Sequence, residues 1–184
     1  MKLKQLFENS NSQFLQTRDE IEAWLNKYGI NDYHIRDDLS VDVNEDIAFL
    51  WDVGDFVDFI EFPIQFGTVN GNFYCDGIGL INLKGCPREV DGDFDCSRNN
   101  LKTLEGGPRE VGGFFDCSNN SQLKSLKGAP KDIGKHFWCI QNKLETLEGA
   151  PKFVGGDFWC ANNPYLKSLD GIGNVAGQIY SDIK

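Results

Sequence analysis

The most informative stretch of this chain reads Pro87-Arg-Glu-Val90-Asp-Gly92-Asp-Phe94-Asp-Cys96-Ser-Arg-Asn99-Asn-Leu101-Lys-Thr-Leu104-Glu-Gly106, and its pattern recurs with a period of 21 or 22 residues. The valine position is filled by Val69, Val90, Val111, Ile133, Val154 and Val175. The aromatic position is filled by Phe73, Phe94, Phe115, Phe137, Phe158 and Ile179. The thiol position is filled by Cys75, Cys96, Cys117, Cys139, Cys160 and Ser181. Such a period predicts a solenoid, because one unit cannot bury its apolar face alone and must stack on the next.

The spacing inside each copy predicts how the unit folds. Val-x-Gly-x-Phe-x-Cys alternates with a period of two, which predicts one short strand with Val, Phe and Cys facing inward. Buried asparagines follow, which we expect to bond the backbone of their own turn and the next, at Asn99, Asn120, Asn142 and Asn163. Paired leucines come next, at Leu80/Leu83, Leu101/Leu104, Leu123/Leu126, Leu144/Leu147 and Leu166/Leu169. Glycines suited to positive φ close the copies, at Gly85, Gly106, Gly128, Gly149 and Gly171.

These columns resemble the leucine-rich repeat. Phe94-x-Cys96-x-x-Asn99-x-Leu101 is similar to the Leu-x-Leu-x-x-Asn-x-Leu part of the family signature, and the resemblance covers residues 63–184. It implies an α/β repeat solenoid with a parallel β-sheet of short strands and an N-terminal helical cap, and the short period is typical of bacterial and phage versions. The chain departs from the family in using Phe and Cys where Leu is usual, and in placing Val four residues before Phe. A parallel β-helix, which also stacks asparagine ladders, is the alternative fold.

Three segments are predicted. Residues 1–48 form an N-terminal helix and a degenerate capping repeat, residues 49–62 an acidic aromatic connection, and residues 63–184 the solenoid. The helix is indicated by the Thr17-x-x-Glu20 capping box and by an apolar stripe that ends before Gly29. The stripe consists of Ile21, Trp24, Leu25 and Tyr28, and an earlier short helix would carry Leu3, Leu6 and Phe7.

The degenerate repeat is predicted over residues 33–48, since Val43 and Ile47 keep the four-residue offset between Val69 and Phe73. Residues 49–62 are both aromatic and acidic. They either close the first turn with their acids solvated, or form a docking element whose contact residues are Trp51, Asp55 and Asp58.

The charge distribution narrows the classes of partner. The net charge is −10, and residues 1–86 carry fifteen acidic against six basic side chains. A nucleic-acid-binding protein needs a basic footprint, so this balance argues against one and permits a basic protein partner. No apolar run is long enough to cross a membrane, and the N-terminus turns polar too soon for a signal peptide. We therefore expect a cytoplasmic protein, in the host cytoplasm if a phage encodes it.

The cysteines and histidines indicate no catalytic or metal site. Five of the six cysteines share one register, Cys86 occupies a packing slot, and the two histidines are His34 and His136. No Cys-x-x-Cys pair occurs, so the pattern favours reduced core thiols over a zinc site. We expect no cofactor and no enzymatic activity. Calcium binding and carboxylate catalysis are the weaker alternatives.

If Val, Phe and Cys face inward, the residues between them form three outward columns. The residue types in these columns predict a surface for partner binding. It consists of Asp91, Asp93, Asp95, Phe114, Asp116, His136, Trp138, Asp157, Trp159 and Tyr180. The acids are expected to cluster on adjacent strands beside a row of exposed aromatics, where a partner offering Lys or Arg and apolar surface would relieve both. Aromatics stacked on one another beside solvated acids are the alternative.

The sequence thus favours a non-enzymatic protein–protein interaction module that inhibits or scaffolds its partner. The alternative is a structural or assembly subunit that associates through the edges of its solenoid. The last strand, with Val175 and Ile179, has no predicted cap, and an uncovered edge strand invites pairing with another chain. The sequence therefore predicts a homodimer joined tail to tail, or a partner that caps this end.

Overall fold

The computed structural model describes residues 14–49 and 60–183 and shows a parallel-strand β-solenoid. Within these ranges one α-helix, α1 (Arg18–Lys27), precedes the strands. The strands are β1 (Tyr33–Ile35), β2 (Val41–Val43), β3 (Ile47–Ala48), β4 (Phe66–Val69), β5 (Phe73–Tyr74), β6 (Glu89–Val90), β7 (Phe94–Asp95), β8 (Glu110–Val111), β9 (Phe115–Asp116), β10 (Asp132–Ile133), β11 (Phe137–Trp138), β12 (Phe153–Val154), β13 (Phe158–Trp159), β14 (Asn174–Val175) and β15 (Ile179–Tyr180).

Each turn of the solenoid contributes one strand to each of two sheets. The eight-stranded sheet has the order β1-β2-β4-β6-β8-β10-β12-β14, and the seven-stranded sheet has the order β15-β13-β11-β9-β7-β5-β3. Neighbouring strands are parallel except β1 and β2, which pair antiparallel. The prediction of one strand per repeat was wrong: a bend separates the valine from the phenylalanine and sends them to different sheets.

Successive turns are in close contact at the bend. A Cβ on Gly112 would lie 2.2 Å from the carbonyl oxygen of Asp91, and a Cβ on Gly134 would lie 2.0 Å from that of Gly112. Both distances are too short for a side chain, so the backbones of successive bends stack directly on each other. The alternating pattern still places Val, Phe and Cys inside, because the side chains continue to alternate across the bend.

The predicted aromatic column is confirmed. The rings of Phe94 and Phe115 stack with centroids 5.2 Å apart, and those of Phe115 and Phe137 with centroids 5.7 Å apart. The cysteines lie in a parallel buried column, and burial raises the pKa of the Cys96, Cys117 and Cys139 thiols well above the ordinary value. These thiols therefore act as small apolar groups of the core.

The asparagine column is also confirmed, with one change of direction. The amide nitrogen of Asn120 donates to the carbonyls of Cys117 in its own turn and Cys96 in the preceding turn. Its Oδ1 accepts from the backbone N–H of Leu101, which also belongs to the preceding turn. The side chain of each asparagine thus bonds backbone groups of its own turn and of the preceding turn, where the sequence predicted the following turn. Just before each of these asparagines comes a residue with φ between 56° and 60°, at Arg98, Asn119, Gln141 and Asn162.

The N-terminal predictions hold wherever the structure describes the chain. The capping box of Thr17 and Glu20 is present, and Gly29 ends the helical segment with φ 70°. Trp24 packs against Phe49 at 5.9 Å between ring centroids, so α1 covers this end of the core. The degenerate repeat joins both sheets in the predicted register, with Val43 opposite Val69 and Ile47 opposite Phe73.

Several predicted residues fall outside the described ranges. They are Leu3, Leu6 and Phe7 of the proposed first helix, and Trp51, Asp55 and Asp58 of the acidic aromatic connection. Within residues 14–49 and 60–183, no helix combines the length and apolar character needed to cross a bilayer.

Candidate functional site

The third predicted column forms a continuous row on the outer face of the seven-stranded sheet. Strand register places its members side by side in the order Tyr74, Asp95, Asp116, Trp138, Trp159 and Tyr180. Successive turns stack in parallel with no insertion inside these strands, so equivalent positions lie next to each other. We call this surface the acidic–aromatic row.

The acidic half of the row consists of Asp95 and Asp116, which are half-buried and directly opposite each other. Burial raises the pKa of Asp95 to about 6, and the neighbouring Asp116 adds to this rise. Burial also raises the pKa of Asp116. Each carboxylate accepts the backbone N–H two residues later, from Ser97 and Ser118, at 2.8 Å. No salt bridge to a described residue neutralises either carboxylate.

The aromatic half is more buried than the sequence predicted. Trp138, Trp159 and Tyr180 are half-buried, not exposed, because they pack on neighbouring rings and on the sheet. Trp159 and Tyr180 stack with centroids 3.7 Å apart, and Trp138 packs at 4.8 Å from Phe114. The ring of His136 lies parallel to that of Trp138 at 5.9 Å. The predicted alternative, in which aromatics stack on one another, therefore describes part of this surface.

The second predicted column serves the backbone. Its side chains reach toward the following turn: Asp93 Oδ1 accepts the N–H of Phe114, His136 Nδ1 accepts that of Asp157, and Asp157 Oδ1 accepts that of Gln178, at 2.8–3.0 Å. Asp93 also lies 3.9 Å from the ammonium of Lys135. These bonds give Asp93, His136 and Asp157 a structural role that the sequence analysis missed.

Phe114 interrupts this ladder. Its side chain has no acceptor, and among the described residues no bond to the N–H of His136 replaces the missing one. Its ring instead packs on Trp138. This turn therefore lacks a hydrogen bond that neighbouring turns make, and it carries an aromatic surface group instead. Departures of this kind from a repeated pattern are expected at functional positions.

Asp91 does not share the outer face of the seven-stranded sheet with Asp95 and Asp116, although the sequence predicted a single outward surface. It follows the valine at the bend and lines a groove of about 330 Å³ on the outer face of the eight-stranded sheet. Glu89, Glu110, Asp132 and Phe153 line the same groove, on four strands in direct register. The predicted four-acid cluster is therefore divided between two faces. The residue before each valine carried the signal for this second face, but the assumption of a single strand hid it.

The return side of each turn arranges its charges differently. Lys124 and Glu145 lie 2.8 Å apart, and Lys127 and Glu148 lie 3.2 Å apart, each pair joining consecutive turns. The return side thus pairs opposite charges between turns, whereas like charges stand in register at Asp95 and Asp116 on one sheet face, and at Glu89, Glu110 and Asp132 on the other. Like charges in register weaken a sheet, so stability does not explain why these acids face one another.

The two edge residues lie where the sequence placed them. Val175 is half-buried on β14, and Ile179 on β15 is 44% exposed, although its equivalent Phe158 is fully buried. Beyond these strands no further strand pairs within the described residues.

The described residues contain no group of three or more His, Cys, Asp or Glu side chains arranged to hold a metal ion, and their cysteines are buried. Comparison with protein-family models, with curated proteins and with solved structures gives no match to this chain.

Proposed function

We propose that this chain is a non-enzymatic protein-recognition module that binds a partner protein through the acidic–aromatic row. The supporting observation is the change of chemistry along this row, from paired carboxylates to half-buried rings, on a scaffold whose interior repeats almost unchanged. The partner would place Lys or Arg opposite Asp95 and Asp116, and apolar or guanidinium groups on the rings from Trp138 to Tyr180. Bound cations would stabilise two carboxylates that now carry like charge at close quarters.

The proposal includes the family and location that the sequence suggested. A leucine-rich-repeat relationship with bacterial or phage proteins is supported by the asparagine and paired-leucine columns. A cytoplasmic location is supported by the six buried thiols that form no disulfide. No cofactor, membrane or nucleic acid enters the proposed mechanism, in which the bound chain inhibits or scaffolds its partner.

Partner capture followed by quantitative binding tests the proposal. The immobilised chain captures a partner from an extract of its native host, and the purified pair is then measured by calorimetry. Trp138→Ala combined with Trp159→Ala should lower the affinity by about 100-fold or more, since each central aromatic contact is typically worth about 2 kcal/mol. Asp95→Asn combined with Asp116→Asn should reduce both the affinity and its dependence on salt.

Phe153→Ala is the matched control, because Phe153 is a 44% exposed aromatic on the other sheet. It should leave binding unchanged. Unchanged capture by the double tryptophan variant, with its circular dichroism melt intact, would reject this site. A loss of binding confined to Phe153→Ala would place the contact on the groove of the eight-stranded sheet instead.

Phe114→Asn separates binding from folding more finely. The new amide can accept the N–H of His136 and complete the second-column ladder, while the ring contact with Trp138 is lost. The two changes, a hydrogen bond of about 1 kcal/mol gained and a ring pair of similar size removed, oppose each other in stability. We therefore expect a nearly unchanged melting temperature and weaker partner binding.

A further inference from the structure

The two edge strands β14 and β15 and the residues between them lack charge. Residues 171–181 contain no Asp, Glu, Lys or Arg, as is also true of residues 65–75 inside the stack, whereas the equivalent residues 86–96, 107–117, 129–139 and 150–160 each contain at least two. The basic position filled by Arg88, Arg109, Lys131 and Lys152 becomes Gly173, and the acidic position before the valine becomes Asn174. Charged side chains are a common device that keeps an exposed strand edge from pairing with another chain. Residues 171–181 have none of them, and the flanking charges are Asp170 and Asp182.

The same turn presents unused backbone groups. In the preceding turn the N–H groups of Phe158 and Cys160 donate to the carbonyls of Gln178 and Tyr180. The equivalent donors of the last turn are the N–H groups of Ile179 and Ser181, and no described residue accepts from them. In the other sheet the N–H of Ala176 donates back to Val154, which leaves the Val175 carbonyl as the next acceptor. The edge therefore offers both backbone donors and backbone acceptors.

Apolar surface lies between these groups. Ile179 is 44% exposed, although every phenylalanine in its column is fully buried. Leu169, Ile172, Val175 and Ile183 are only partly buried at this end. Gln178 occupies the column whose side chains reach toward the following turn, and it is exposed at this edge.

The opposite end of the same stack shows how such an edge is closed. There β1 pairs antiparallel with β2, and α1 covers the core with the fully buried Leu25 and nearly fully buried Trp24. An antiparallel strand and an apolar cover thus satisfy one end of this solenoid. Among the described residues, the edge formed by β14 and β15 has neither a pairing strand nor an apolar cover.

We propose that a second copy of this chain supplies them, so that two solenoids join through the outer edges of β14 and β15. A two-fold axis across the edge makes the paired strands antiparallel and the contact self-complementary. Donors and acceptors are both present on the edge, as such pairing requires. The uncharged strands support this pairing, because two copies of a chain with net charge −10 can meet through residues 171–181 without placing like charges directly opposite each other. The contact uses the edge and leaves the acidic–aromatic row free.

The experiment is a mass measurement in solution. Light scattering coupled to size-exclusion chromatography should give twice the chain mass of 20.7 kDa at micromolar concentration. Ile179→Lys and, separately, Gln178→Lys should each give the single-chain mass at the same concentration. Phe153→Lys is the matched control: it adds the same charge at a residue that is also 44% exposed, but on a sheet face, and it should stay dimeric.

The second variant protects the test from misfolding. Gln178 is exposed, and its side chain accepts only a surface hydrogen bond from the Tyr180 hydroxyl, so Gln178→Lys should melt close to the parent chain even if Ile179→Lys loosens the last turn. A parent chain that is monomeric, or lysine variants that remain dimeric, would overturn the proposal. A continuous series of larger assemblies would also overturn it, because a two-fold contact closes after two copies.

Discussion

The interior and the outer face of the seven-stranded sheet come from the same short strands, yet they change along the solenoid in different ways. Inside, phenylalanine follows phenylalanine from Phe73 to Phe158, with ring centroids 4.9–5.7 Å apart. Outside, tyrosine gives way to aspartate and then to tryptophan. Each interior side chain must fit its neighbours in two adjacent turns at close-packed density, which holds the column to one residue type. The outer side chains are less constrained by packing, so their residue type varies from turn to turn and determines the chemistry of the surface.

The comparison predicts that the interior determines stability. Phe115→Ala, in the middle of the aromatic column, should lower the free energy of unfolding by about 3–5 kcal/mol, because it removes a buried ring and leaves a cavity. Ile179→Ala should have a much smaller effect, since that side chain is 44% exposed at the end of the column. Urea unfolding of both variants measures the difference. Equal losses would contradict the stacking that unites the interior.

The buried asparagine ladder should have the next largest effect on stability. Asn120→Ala removes the bonds to the carbonyls of Cys96 and Cys117 and to the N–H of Leu101, all inside the protein. The two carbonyls keep a second donor, in the side-chain amides of Asn99 and Asn142, but the buried N–H of Leu101 is left without a partner. We therefore expect a loss of about 1–3 kcal/mol. Asn100→Ala, at the exposed neighbouring residue, is the control and should change the unfolding midpoint little. A similar effect from the two variants would show that the ladder contributes no more than a surface asparagine.

Substitution of an acid on the outer face should raise the free energy of unfolding instead of lowering it. The carboxyl of Asp95 has its pKa raised from 3.8 to about 6 by burial, so its ionised form opposes folding. This group's favourable contribution is complete below pH 3.8 and is lost as pH rises through about 6, since between these values only the folded state keeps the proton. Asp95→Asn keeps an oxygen that can accept the N–H of Ser97. It should therefore stabilise the protein at pH 7, by about 1 kcal/mol after allowance for solvent screening.

Melting temperatures of the parent chain and Asp95→Asn across pH 4–8 test this expectation. The difference should shrink as the pH falls toward 4, where the parent carboxyl is protonated as well. Asp116→Asn should shift stability in the same direction, because burial also raises the pKa of that carboxyl. A variant less stable than the parent at pH 7 would mean that the ionised carboxylate already has a compensating partner in the folded protein.

Much of the scaffold could be predicted because the repeat itself reports which positions are equivalent. The capping box at Thr17, the stop at Gly29, the asparagine ladder and the pairing of Ile47 with Phe73 were all visible as spacings. The division of each repeat into two strands was not. A period of two persists through the bend at Gly112 and Gly113, so alternation alone cannot show that the backbone turns there.

The candidate site, like the scaffold, could be predicted only in part from the sequence. Neighbour relations such as Asp95 beside Asp116 and Trp138 beside Trp159 follow from repeat spacing, since parallel stacking without insertions preserves register. Which side chains keep polar groups available to a partner does not follow from it. Asp93 and Asp157 looked like surface acids, but each accepts a backbone N–H from the next turn. Those bonds depend on the distance between the bends of neighbouring turns, and the sequence of a single repeat does not determine that distance.

The amino-acid sequence by itself determined that this chain stacks, which columns lie inside, and which residues become neighbours along the axis, because a fixed period makes every contact between turns a repetition of one contact. Only the tertiary structure decided that the outward residues are shared between two faces, that Asp91 belongs to a groove, and that the rings of the acidic–aromatic row are half-buried. The physical reason is that exposure depends on the backbone path at the bends. At the bends the backbones of adjacent turns lie in direct contact, as they do at Gly112 and Gly134.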